Sequence, residues 1–194
     1  METNNQDRTI SAVPGMDAED RWRVELPDLV GYLIFWPILL FGLWADLATK
    51  RAVFAWLWDL PGQGTRILDG FLSFRLALNT GAAFGIAAGH QPLLIAVSAI
   101  ALLAILGVFF FGAARQRLVQ VSLGLFAAGV SGNLWDRIFN GGQVRDFIDV
   151  IYWPGRHWHT FNVADAMLCI AVALLLAATF LTGSSGRTRA RPQK

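Results

Sequence analysis

Charge is scarce in this chain. Charged residues fill only 15% of its 194 positions, whereas a soluble domain carries about 25%, so there are too few to clothe a water-exposed globule. Cysteine is nearly missing too: Cys169 stands alone, which excludes an internal disulfide framework and any multi-cysteine metal site. After Asp28 the only acids are Asp46, Asp59, Asp69, Asp136, Asp146, Asp149 and Asp165. The net charge is +2, but the basic residues are scattered between apolar runs and form no stripe of the kind a nucleic-acid surface needs. There is no helical HExxH, no nucleophile elbow and no phosphate-cradling glycine loop. The length leaves room for about one domain, so a separate cofactor domain is not expected.

Apolar sequence is what the chain has in excess. Hydrophobic residues reach 55%, above the roughly 45–50% of soluble domains. Crossing about 30 Å of hydrocarbon takes roughly 20 apolar residues in a helix. Four stretches qualify: Leu29 to Ala45, Pro92 to Ala114, Leu118 to Trp135 and Ala166 to Gly183. The third is the least apolar, but its Gly124, Gly129, Ser131 and Gly132 allow helix backbones to approach closely. The first run follows a long acidic tail and has no small-residue cleavage site before the segment Asp46 to Lys50, so it is expected to stay as an anchor. The expected fold class is an α-helical integral membrane protein with four transmembrane helices. Residues 1–28 form a polar acidic tail, 29–183 the four-span unit and 184–194 a basic tail.

Four spans place both termini on one side. Arg115, Arg117 and the terminal Arg187, Arg189, Arg191 and Lys194 mark that side as cytoplasmic by the positive-inside rule. Basic residues such as Lys50, Arg51 and Arg145 on the other side oppose this assignment. Trp44, Trp56, Trp58, Trp135, Trp153 and Trp158 all flank the outer ends, which suggests a shallow structure lying there. Leu72 to Asn79 supplies one, because its apolar residues alternate with period two. A small extracytoplasmic β-containing insertion is therefore expected between helices 1 and 2, within about residues 51–90.

All seven later acids fall on that outer side, where ionisable groups near membrane depth require a physical reason. Asp46 and Lys50 share a helix face at spacing i, i+4; the plain reading is an interfacial ion pair ending span one. Gly132-Asn133-Leu-Trp-Asp136-Arg137 ends span three, and there Asp136 and Arg137 point apart toward separate partners. Asn162-Val-Ala-Asp165 has the spacing of a helix N-cap, a sufficient structural explanation by itself. If the segment before it folds back over the bundle, however, Asp146 meets Asp165. Two neighbouring carboxyls do not both ionise readily, which yields a general acid beside a general base. His157 and His159 could bind zinc but lack a nearby third ligand and read as interfacial histidines. Cys169 reads as a small packing residue in span four.

These segments together resemble the lipoprotein signal peptidase family, also called signal peptidase II. The resemblance lies in Asp46-Leu-Ala-Thr-Lys50, Asn79-Thr-Gly-Ala-Ala-Phe-Gly85, Gly132 to Arg137, Val144-Arg-Asp146-Phe147 and Phe161-Asn162-Val-Ala-Asp165, in the family's order and across about residues 29–183. It implies an intramembrane aspartic endopeptidase that removes signal peptides from diacylglyceryl-modified bacterial prolipoproteins, cutting before the lipidated cysteine. It further implies Asp146 and Asp165 as the catalytic dyad, with Asp46, Lys50, Asn79, Asn133, Asp136, Arg137 and Asn162 supporting or lining the site. No cofactor, metal or nucleic acid is implied; the partners are the prolipoprotein and membrane lipid. Asn140-Gly-Gly-Gln143 is one residue longer than the family pattern, which keeps Asp149 as a rival to Asp146. Two rival classes fit the residues less well: a small transporter or proton-coupled channel needs charges at mid-span, where there are none, and a non-catalytic lipid-binding or assembly subunit gives no reason for two carboxylates at separate span ends to converge.

Overall fold

A computed structural model describes residues 26–82, 86–112 and 116–185. Most of both tails, Arg115, and Ala83 to Gly85 of the glycine-containing motif lie outside the described residues. Four long helices carry the chain: α1 (Leu29–Leu57), α2 (Gln91–Phe111), α3 (Arg117–Phe139) and α4 (Val163–Ser185). All four are long and apolar enough to cross a membrane.

Helix boundaries follow hydrogen bonding rather than apolarity. The apolar run of span one ends at Ala45, yet α1 runs three more turns through Asp46, Lys50 and Arg51 to Leu57. Charges end a hydrophobic run without interrupting the i to i−4 ladder, so Asp46 and Lys50 sit inside a helix instead of at its end. α3 likewise continues past Trp135 and takes Asp136 and Arg137 into its last turn. α2 stops earlier than expected, at Phe111, because Gly112 turns extended.

The least apolar span, α3, is the central and most enclosed helix; the most apolar, α2, is the most exposed. This ordering is physical, since lipid solvates an apolar helix as well as another helix does, and close packing selects small residues instead. A Cβ on Gly129 would come within 2.7 Å of the Ala164 carbonyl, so the glycine sets the approach of α3 to α4. Ridges of Phe35 and Phe109, stacked at 4.0 Å between ring centres, fill the other end between α1 and α2. Cys169 faces outward from α4 and is exposed, contrary to the packing role expected of it.

A four-stranded antiparallel sheet caps one end of the bundle in the order β1 (Gly64–Leu68), β2 (Leu72–Asn79), β3 (Val144–Trp153), β4 (Arg156–His157). The alternating segment is β2, with the expected limits. The sheet is more than an insertion between α1 and α2, however, because β3 and β4 come from the connection between α3 and α4. Phe74, Leu76 and Phe147 pack on Val53 and Leu57 of the extended α1, which seats the sheet on the helices. The six tryptophans assigned to the outer ends all have exposed rings. At the opposite end Asp28 caps α1 and pairs with Arg117 at 2.6 Å, so α1 and α3 begin side by side.

Candidate active site

Two backbone devices bring β3 to the start of α4. The turn after α3 closes through Asn140 Nδ2 donating to the Gln143 carbonyl, with Gly141 and Gly142 at φ 61° and 83° in the left-handed region that glycine tolerates. Then Phe147 and Ile148 N–H groups both donate to the Phe161 carbonyl, and Phe161 N–H returns to Ile148. That staple holds Asn162 beside Asp146. The folding back on which a meeting of Asp146 and Asp165 depended is therefore present.

Asn162 is fully buried and joins the two carboxylates. Its Nδ2 donates to Asp146 Oδ1 at 2.6 Å and to Asn133 Oδ1 at 3.1 Å. Its Oδ1 accepts from the Asp165 N–H at 3.0 Å, while Asp165 Oδ2 accepts from the Asn162 N–H at 3.2 Å. The capping arrangement read from the spacing thus exists, but one side chain both caps α4 and reaches Asp146. Asn133 Nδ2 donates to Asp165 Oδ1 at 2.8 Å, and Asn79 Nδ2 to Asp146 Oδ2 at 3.2 Å. Burial, followed by the neighbouring Asp165 charge, pushes the Asp146 carboxyl up to about 7, against the opposing pull of Asn162, Asn79 and Lys50. A carboxyl held there keeps its proton near neutral pH and can give it away.

Beneath the pair lies a buried ionic cluster. Lys50 Nζ is 2.7 Å from Asp46 Oδ2 and 3.4 Å from Asp136 Oδ2, and all three side chains have zero exposure. Lys50 also donates to Asn133 Oδ1 at 3.1 Å. The interfacial ion pair expected at the end of span one is therefore a buried one. Asp46 Oδ1 takes the Ala164 N–H at 2.8 Å, one of the free donors at the start of α4. Gly132 leaves the space, since a Cβ there would collide with the Asp46 carboxylate. Arg137 donates to the Gly81 carbonyl at 3.0 Å, tying α3 to the turn after β2, and its buried Nε has no hydrogen-bond partner among the described residues.

Asp149 is placed elsewhere. It lies in register with Ser73, accepts from Ser73 Oγ at 2.8 Å, and meets His157 Nδ1 at 2.8 Å. His159 meets the Thr160 carbonyl. Among the described residues no three His, Cys, Asp or Glu side chains are grouped to hold a metal. Two further participants lie inside segments named above without standing among the candidate site residues. Gly81 contributes only a carbonyl, which no side-chain pattern reveals. Arg145, beside Asp146, binds Asp136 through three donors; a charge next to a buried acid was its only signal.

Four spans capped by a sheet, with a buried cluster of carboxyl and amide groups at the capped end, define a polytopic membrane protein with a candidate active site at that end. Two solved structures with this architecture are described as bacterial membrane enzymes: one shares 27% identity at a TM-score of 0.68, covering 87% of this chain and 98% of its own, and the other 29% at 0.65, covering 80% and 96%. The family model for signal peptidase (SPase) II matches residues 38–181. The lipoprotein signal peptidase of Geobacter metallireducens is 41% identical over 147 residues, 74% of this chain and 88% of its own length. That of Rhodopirellula baltica is 34% identical over 166 residues, covering 77% and 72%. The chain belongs to the signal peptidase II family, and so is a multi-pass membrane hydrolase of the aspartic class that processes lipoproteins.

Proposed function

We propose that Asp146 and Asp165 are the catalytic dyad of an endopeptidase that cuts diacylglyceryl-modified prolipoproteins immediately before the lipidated cysteine. The observation that carries this reading is Asn162, hydrogen-bonded to both carboxyl groups at once. Asp165, which accepts from Asn133 Nδ2 and from the N–H of its own cap, is the base. It takes a proton from water as the oxygen attacks the scissile carbonyl carbon. Asp146, raised to about 7, gives its proton to the carbonyl oxygen, forming a neutral gem-diol. Collapse breaks the C–N bond; the proton held by Asp165 passes to the leaving amine, and a gem-diol hydroxyl returns one to Asp146. Both groups end as they began.

Asp46, Lys50 and Asp136 support this pair through Asn133. Asn79 and Arg137 line it at the turn after β2. A peptide bond must leave its helix before water can reach it, and exposed backbone is costly in lipid, so amide and guanidinium donors at the span ends suit an unwound substrate. The site faces the extracytoplasmic side and both termini the cytoplasm, a reading supported by the Asp28–Arg117 end lying opposite the sheet. Lipid on the substrate holds the scissile bond at this level, each buried CH₂ contributing about 0.8 kcal/mol. Purified enzyme should cleave a diacylglyceryl lipobox peptide, release a fragment whose mass begins at the lipidated cysteine, and spare the unmodified peptide. Equal cleavage of both, or a cut elsewhere, would contradict the proposal.

A further inference from the structure

Arg145 is paired with Leu78 across the sheet, and its side chain reaches back to the last turn of α3. Its Nε and Nη2 donate to Asp136 Oδ1 at 3.2 and 2.6 Å, and its main-chain N–H donates to Asp136 Oδ2 at 3.0 Å. Such charge-assisted contacts are geometrically exacting. Four charges then alternate along one line: Asp46, Lys50, Asp136 and Arg145. The line is neutral only while Arg145 is part of it. Without the guanidinium, two buried carboxylates would compete for one ammonium, and Lys50 is the group that donates to Asn133, which in turn donates to Asp165.

We propose that Arg145 is a positioning residue for peptide hydrolysis. It neutralises Asp136 so that Lys50 stays on Asp46 and Asn133, and it anchors the main chain immediately ahead of Asp146. The inference rests on the dyad reading above. A fold staple alone would require only the main-chain bond. The side chain adds a balancing charge next to a titrating pair. The groups that act on Asp146 are Asp165 from α4, Lys50 from α1, Arg137 from α3, Asn79 from β2 and the Asn162 cap. Arg145 thus works on the acid through Lys50.

The test uses the full chain in lipid nanodiscs and a synthetic diacylglyceryl lipobox peptide, measuring kcat, KM and the alkaline limb of the pH profile. Arg145→Met should lower kcat by about tenfold or more, as small misplacements at a reacting centre do, with KM little changed. The uncompensated negative charge should move the alkaline limb up by roughly one unit. Asp136→Asn has the opposite imbalance and should move the limb down. The Asp136→Asn/Arg145→Met pair should return it near the wild-type position, and Arg145→Lys should hold it there while recovering only part of kcat. A wild-type kcat and limb for Arg145→Met, or single variants that shift the limb in the same direction, would overturn the proposal. If Arg145→Met does not accumulate, Arg145→Lys against Asp136→Asn decides, and equal limbs would overturn it. An Asp165→Asn control that still cleaved would strike the dyad reading, whereas a dead control beside an unaltered Arg145→Met would strike this inference alone.

Discussion

The Asp146→Asn substitution removes a carboxyl that burial and the Asp165 charge push from 3.8 to about 7. Because the folded value lies above the unfolded one, the folded protein holds this proton more tightly. The stabilisation is complete below about pH 3.8 and is lost as pH rises through about 7. A shift of this size corresponds to stability on the order of 4 kcal/mol, at about 1.4 kcal/mol per pH unit. Asparagine is neutral throughout and escapes the loss. It keeps an acceptor for Asn162 Nδ2, but its amide cannot accept from Asn79 as Asp146 Oδ2 does, a cost of about 1 kcal/mol. The variant should therefore unfold slightly more easily than wild type near pH 4 and be the more stable protein near pH 8, by a few kcal/mol at most. Thermal unfolding in detergent at intervals between those limits reads the crossing directly. Parallel curves for the two proteins would mean that Asp146 does not carry the raised proton affinity.

Three other substitutions separate the roles around the pair. Asn162→Ala removes the cap of α4 and the donor shared by Asp146 and Asn133, so it should destabilise by about 1–3 kcal/mol and cut turnover strongly at permissive temperature, measured by single-turnover cleavage. Gly132→Ala drives a methyl group into the buried Asp46 carboxylate and should cost about 1–3 kcal/mol by overpacking, read as a lower melting temperature. Asp149→Asn loosens the contacts of this side chain with Ser73 and His157 and should retain most cleavage activity while β4 exchanges its amide hydrogens faster.

The parts of this architecture that depend on local pattern were legible in the sequence. β2 alternates with period two and the spans are long apolar runs, so both are visible in any window of a few residues. The extension of α1 was not, because hydropathy marks where lipid ends and says nothing of where hydrogen bonding ends. β3 shows no such alternation, because its first half is enclosed on both faces: Asp146, Phe147 and Asp149 are all buried, and within the strand only Tyr152 and Trp153 at its end are exposed. Spacing suggested that Asp165 belonged to a helix cap, and the structure shows that cap in the same side chain that reaches Asp146. The bond from Arg145 to Asp136 spans a tight turn with two left-handed glycines, and its partners are fixed only once that turn is closed.

The proposed dyad requires that Asp146 and Asp165 act as one unit. Cleavage of a diacylglyceryl lipobox peptide by Asp146→Asn, Asp165→Asn and the double variant, each verified as folded in membrane, tests it most directly. Each single substitution should abolish detectable turnover, a loss of at least about 10²- to 10⁴-fold, and the double variant should be little worse than either one. Activity that survives in Asp165→Asn, with only a lower melting temperature, would reduce that residue to a helix cap and contradict the account.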